Sequence, residues 1–392
     1  MIIVLAGMAP SQGNADEQDS LNLAAGTSAR YDDNLFRLPS GTAPATGRNS
    51  SRSDMLYTAH AGLRLDKPYG QQRIQADITA TQYSYRSNDY LNFTAVDYRG
   101  AWLWSLTPRL TGVLSVDQTS ELASYATLQD ATNRNKRVNE NQRFMADWSV
   151  DGGWHLTGGV YRLRSIADAG EFTATGNYVQ NTVEGGIKYV SAANNSIAAV
   201  QRRSRGNYIG RGLDTASALD TRYDQNETEL RAIYQITGHS LLDARLGLKD
   251  RTHEHFSQRN FSGTVGNLTY LWTPTGKLRF ALTAGRDLLA YQELTNSYYA
   301  SNYVSLTPTW LLTEKTSVHL KLDLNRNEYH GAIVTSGAAR EDTIRSSQLG
   351  MAWRPTRTII VDGYLTHEQR SSNFSGLPYQ ANIAGVSASA TF

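Results

Sequence analysis

His253, Glu254 and His255 come closer than any other run in this chain to a metal-binding set. Two imidazoles flanking a carboxylate supply donors, but a zinc site asks for a further protein ligand nearby. The surrounding loop offers none, so neither a metal nor any other cofactor is expected. Glu328 with His330, and His367 with Glu368, set an imidazole beside a carboxylate. That pairing supports acid–base chemistry only when a nucleophile lies within hydrogen-bond reach. The chain has 8 histidines, no cysteine and no Gly-x-Ser-x-Gly elbow. An enzyme is not the expectation.

Many of the remaining ions fall at alternate positions of extended segments. They are Arg64, Arg73, Arg99, Arg143, Arg162, Arg164, Arg203, Arg205, Arg231, Arg245, Lys249, Arg251 and Lys321. Asp97, Asp147, Glu227 and Glu229 join them, with Asp77, Asp151, Glu184, Asp243 and Asp323. Leu242 to Lys249 has the clearest pattern: Leu242, Ala244, Leu246 and Leu248 on one face, Asp243, Arg245 and Lys249 on the other. Val318–Leu324, Phe144–Asp151 and Met55–Asp66 repeat it. Successive side chains of a strand point to opposite faces, so these strands separate aliphatics from ions.

The composition fits a closed sheet. The 392 residues carry 38 basic and 36 acidic side chains, a net charge of +2. That balance gives no nucleic-acid footprint. No run of 18 apolar residues exists, which excludes transmembrane helices and leaves transmembrane strands open. About 18 strands follow, from 20–31 to 380–392, most of them long enough to cross a bilayer at a tilt. Short connections (67–70, 107–109, 156–158, 191–195, 237–240, 274–277, 313–316, 355–357) alternate with longer polar ones, notably 32–53, 121–141 and 207–223. Short turns on one rim and long loops on the other define an outer-membrane barrel. The expected fold is therefore all-β: a transmembrane antiparallel outer-membrane β-barrel of about 18 strands, with short periplasmic turns and longer extracellular loops.

Large rings recur in front of the short turns: Trp104, Trp154, Tyr189, Tyr234, Trp272, Trp310 and Trp353. Trp and Tyr settle at the membrane–water boundary, so these seven form half of an aromatic girdle. The last strand, ending in Phe392, reads as the assembly signal for the barrel-assembly machinery. Residues 1–15 read as the remnant of a signal peptide, with an apolar run at Ile2–Met8 and a small-residue site at Gly13–Ala15. Residues 16–392 read as one barrel domain, integral to the outer membrane and surrounded by its lipid and lipopolysaccharide.

A barrel of this size encloses water or a plug. These alternating ions line its lumen as a polar conduit, where arginine forks grip carboxylates and hydroxyls. Tyr83, Tyr85, Tyr303 and Tyr364 offer faces for sugar rings. On this reading, replacing Arg162, Arg164, Arg203 and Arg205 together changes ion selectivity.

Tyr31-Asp32-Asp33-Asn34-Leu35-Phe36-Arg37-Leu38-Pro39, Leu65–Arg73 and the run YLNFTAVDYRGAWLWSLTPRLTG at 90–112 resemble the outer-membrane protein of exosortase-associated exopolysaccharide loci, the EpsL-type family. The resemblance implies export of an exopolysaccharide chain, with periplasmic polysaccharide synthesis and export proteins as partners. It carries over no site residues. Asp32 and Asp33 either turn the chain out of its strand or mark a polymer contact at the outer mouth. The expected function is polysaccharide export. The alternatives are a general or sugar-selective porin and a non-conducting assembly component.

Overall fold

The structure is a computed structural model that describes residues 21–44, 51–122, 125, 134–167, 176–291, 296–333 and 338–392. The proposed signal segment lies outside the described residues. Eighteen strands run in chain order: β1 (Leu21–Asp32), β2 (Asp54–Tyr69), β3 (Gln72–Tyr85), β4 (Phe93–Thr107), β5 (Leu110–Leu122), β6 (Lys136–Asp151), β7 (Trp154–Ala167), β8 (Tyr178–Val190), β9 (Ser196–Tyr208), β10 (Arg222–Thr237), β11 (Ser240–His253), β12 (Phe261–Thr275), β13 (Leu278–Ala290), β14 (Tyr298–Leu311), β15 (Thr316–His330), β16 (Glu341–Trp353), β17 (Ile359–Ser372) and β18 (Tyr379–Thr391). Each pairs antiparallel with its chain neighbours, and β1 also pairs with β18, opposing Ala24 to Thr391 and Asp32 to Ile383. Closure leaves no free edge, which is what hydrocarbon demands of a sheet.

One turn differs from the sequence expectation of a connection at 156–158. The chain reverses at Gly152 and Gly153, both at positive φ (57° and 83°), and β7 begins at Trp154. A two-residue reversal of this kind needs left-handed backbone, which glycine adopts without strain. Trp154 therefore follows its turn instead of preceding it.

Directly opposed residues of an antiparallel pair project from the same face. The register therefore carries one face assignment around the whole wall. Leu230, Leu246 and Leu248 are 55%, 63% and 62% exposed and mark the outside. Their neighbours Glu229 and Lys249 are buried and mark the lumen.

The Asp-Asp-Asn segment after β1 fastens the joint between the first and last strands. Asp33 accepts the backbone and side-chain amides of Asn382 on β18, each at 2.7 Å. Asn34 donates to the Gln380 carbonyl at 2.7 Å and to the Leu38 carbonyl at 2.8 Å. Arg37 pairs with Asp32 at 3.0 Å and with Glu368 on β17 at 2.9 Å. Phe36 is fully buried, against Leu56 and Tyr85 of the wall and edge-on to Tyr125 at 5.1 Å. Of the two readings of this segment, the structure shows the chain-turning and packing one.

Candidate channel lining

The densest part of the inner wall lies on β8 to β11. Register opposes Glu184 to Arg202, Arg202 to Glu227, and Glu227 to Lys249. Acid and base thus alternate across four strands, the arrangement that cross-strand neighbours favour. Lys249 extends the row to Asp287 on β13. Arg231 and Arg245 directly oppose each other, which would be repulsive alone. Glu229 resolves it, lying 2.7 Å from Arg231, 3.2 Å from Arg245 and 3.7 Å from Arg202.

Three arginines (202, 231, 245) against three glutamates (184, 227, 229) make the cluster formally neutral. Its layering is not symmetric. The glutamate side chains are 0–7% exposed, whereas the guanidinium-bearing side chains of Arg202, Arg231 and Arg245 are 23%, 31% and 29% exposed. The acids form a floor and the arginines the surface above it. The wall therefore offers N–H donors in planar forks, the geometry that fits carboxylates and hydroxyls.

Other inward ions form smaller sets. Arg64, Asp77, Arg99 and Asp117 alternate across β2 to β5, with Arg64 to Asp77 at 3.0 Å. Arg73 grips Asp66 at 2.6 Å. Asp147 is held by His155 and Lys188. Arg251 donates to Gln225 at 2.8 Å and lies 3.9 Å over the Tyr223 ring. Lys321 lies 3.4 Å from Asp323, and Asp97 accepts the Ser120 amide at 2.7 Å. Arg143 lies over the Tyr161 ring at 5.3 Å. The opposite wall carries small hydroxyls among its inward residues: Ser28 on β1 opposes Ser387, and Thr366 on β17 opposes the amide of Gln348.

Four of the expected lining residues are not in the lumen. Register puts Arg162 opposite Asn181 and Arg164 opposite Val179, on the face of Trp154 and Val160. Arg203 opposes Val183 and Arg205 opposes Asn181 on that same face. The selectivity change expected from replacing these four loses its basis. The lumen-facing arginine of β9 is Arg202, the second residue of a Gln-Arg-Arg-Ser-Arg run (201–205) whose polar repeat hides its parity.

The seven girdle residues all face outward. Six are 37–54% exposed; Trp104 is 6% exposed, stacked on Phe144 at 5.7 Å. Phe392 is outward and 65% exposed, and its backbone exchanges hydrogen bonds with Leu23 at 2.8 and 2.9 Å. Of the four candidate sugar platforms, Tyr83 is stacked on Phe93 at 4.4 Å and Tyr85 is buried in the rim cluster. Tyr303 and Tyr364 lie over Gly285 and Gly385 of the neighbouring strands.

The histidine motifs separate. Asp220 supplies the third donor that the sequence did not reveal beside Glu254 and His255. Its carboxylate already accepts the amides of His255 at 2.6 Å and Phe256 at 3.2 Å. Asp54 accepts the amides of Ser87 and Asn88 in the same way, each at 2.9 Å, without a histidine in the contact. The Asp220 group is thus a hairpin clasp of the kind Asp54 makes. Glu328 faces outward in a pair with Arg326 at 3.2 Å, and His330 packs on Tyr298. His367 bonds to Asn382 outside while Glu368 holds Arg37 inside, so consecutive residues lie on opposite faces.

This architecture, a closed barrel with an oily exterior and an ionic interior, is that of an integral outer-membrane protein with a porin-like channel fold. Residues 219–392 match the family model described as "Putative beta-barrel porin 2". Among solved structures the chain is similar to Pseudomonas aeruginosa OccK1 (OpdK), with a TM-score of 0.52 and 12% identity over 95% of this chain and 99% of that one. Pseudomonas aeruginosa OccK2 (OpdF), solved in complex with glucuronate, is similar at TM-score 0.53 and 11% identity, covering 95% and 98%. A BenF-like porin from Pseudomonas fluorescens Pf-5 gives 0.52 and 11%, covering 96% and 99%. At these identities the likeness is one of fold. No curated protein matches the chain.

Proposed function

We propose that the protein is a porin-like channel that passes small hydroxylated and carboxylated solutes across the outer membrane. The layered cluster on β8 to β11 carries this reading: guanidinium groups of Arg202, Arg231 and Arg245 form the water-facing surface over buried Glu184, Glu227 and Glu229. A solute entering such a lumen meets donors on one wall and hydroxyls on the other. Sugar acids fit both, and OccK2, which shares the fold, holds glucuronate. Liposome swelling tests it. Vesicles with the protein should swell in glucuronate and in monosaccharides and more slowly as the solute lengthens. Equal swelling with and without protein would refute it.

A narrower reading is export of an exopolysaccharide chain, with periplasmic synthesis and export proteins docked below. The resemblance of residues 31–39, 65–73 and 90–112 to the EpsL-type family favours it. Deleting the gene separates the two. Loss of surface polysaccharide supports export; unchanged polysaccharide with lost solute uptake supports the porin alone.

A further inference from the structure

The outward face of β7 to β9 carries arginines that the channel does not use. Arg162 and Arg164 on β7 flank Asn181 of β8 on one side, and Arg203 and Arg205 on β9 flank it on the other. Arg164 pairs with Glu140 at 2.8 Å and Arg205 with Asp224 at 3.2 Å. Arg162 and Arg203 have no acid within ion-pair distance among the described residues. Four arginines against two acids leave the patch two charges positive.

Around and below these arginines, toward the tryptophans, the same face is oily: register sets Val183 level with Arg203 on one side and Val160 on the other. Leu114, Phe144, Val160 and Val183 are 42–62% exposed, and together with Arg162, Arg203 and Arg205 they line one crevice of about 590 Å³. Arg162 stands eight residues above Trp154 on β7. At ~3.4 Å per residue and a ~45° tilt, that is about 19 Å of height. The apolar band of such barrels is about 25 Å tall, so Arg162 lies near its extracellular border. A lipid-facing charge is tolerated near that border and not at the midplane.

A second charged arc on the outward face of β15 and β16 is built differently. Arg326 there is matched by Glu328 at 3.2 Å and Glu341 at 3.0 Å, so it needs nothing from outside. The β7–β9 arc has cations left over.

We propose that this crevice binds one phosphorylated lipid of the outer leaflet, the chemistry of lipopolysaccharide. Its acyl chain lies against Phe144, Val160 and Val183, and its headgroup phosphate sits between Arg162 and Arg203. Arginine suits this role because its fork bonds phosphate bidentately. Two unpaired cations at a membrane surface favour an anionic headgroup by roughly tenfold or more. The site lies outside the barrel wall and is independent of solute passage.

The test uses the whole barrel in detergent, titrated with phosphorylated lipid A and with its dephosphorylated form, retention being read by native mass spectrometry. The wild type should retain the phosphorylated form about tenfold better, and added salt should erode that preference. Arg162→Gln with Arg203→Gln should abolish it; Arg162→Lys with Arg203→Lys should keep part of it. Heat-modifiable gel migration checks folding of each variant. Equal retention of the two lipids by the wild type, or an unchanged preference in the glutamine variant, overturns the proposal. So does a preference that salt does not touch, which can be read without any variant. Full displacement by millimolar inorganic phosphate would show an anion site without a lipid and would also overturn it.

Discussion

Asp33 grips Asn382 by both its backbone and side-chain amides, at 2.7 Å each, across 349 residues of chain. The contact sits where β1 meets β18, the joint that turns a curved sheet into a cylinder. Beside it, Arg37 is threaded between Asp32 and Glu368 with its own backbone at a φ of 56°. That left-handed conformation is uncommon outside glycine and holds only where surroundings fix it.

The joint gives the first prediction. Asn382→Ala removes hydrogen bonds at an exposed position and should lower barrel stability by about 1 kcal/mol. Asp32→Ala leaves the largely buried Arg37 with Glu368 as its remaining acid and should cost more, about 2 kcal/mol. Urea unfolding of barrel refolded into vesicles measures both. Equal and negligible effects would mean that this segment does not fasten the wall.

The lumen gives the second. Glu229→Gln leaves Arg202, Arg231 and Arg245 less compensated and should shift the reversal potential toward anions. Arg231→Gln should shift it toward cations. A unit charge ~8 Å from a passing ion in water alters its energy by about 0.5 kcal/mol, roughly a factor of two in permeability ratio. Arg162→Gln with Arg203→Gln, on the outer face, should leave selectivity unchanged. A shift from the outer pair and none from the inner residues would reverse the face assignment.

A third prediction concerns close packing against the inner wall. A side chain at Gly385 would strike the Tyr364 ring on β17. Gly385→Val should therefore destabilise the barrel by about 1–3 kcal/mol. Adding Tyr364→Ala should restore part of the loss, and a double-mutant cycle reads the coupling. Purely additive effects would mean the ring moves aside.

A fourth follows from the Asp220 clasp in the extracellular loops. Burial pushes its carboxyl up, but the amides and ring of His255 and the amides of Thr221 and Arg222 outweigh it and hold the group below its ordinary value of 3.8. The folded value is depressed, so the stabilisation is complete above the ordinary carboxylate range. It is lost as pH falls through the lowered value. Proteolysis of the 254–260 loop should stay constant from pH 8 to 5 and rise below about pH 4. Asp220→Asn should raise cleavage throughout and flatten the profile.

The strand count, the closed antiparallel wall and the outward placement of the rings at the short turns are legible because two-residue alternation over 12–16 residues is hard to produce otherwise. Leu242–Lys249 shows why: inside the apolar band, oil can only face out and ions can only face in. The same rule fails near the extracellular border, where both faces meet polar surroundings. There alternation alone assigns Arg162, Arg164, Arg203 and Arg205 to the lumen, and register places them outside. The turn at Gly152-Gly153 was hidden because Trp148, Val150, Trp154 and Leu156 keep the alternation running through it. The Asp33–Asn382 grip and the glutamate floor beneath Arg231 and Arg245 depend on register between strands, which local pattern does not carry.

Planar-bilayer recording tests most directly whether ions line a water-filled lumen inside a lipid-facing cylinder. Refolded wild-type protein should add discrete, ohmic current steps whose size rises with salt concentration. Protein that inserts as a heat-modifiable barrel yet adds no conductance at any salt concentration would contradict it.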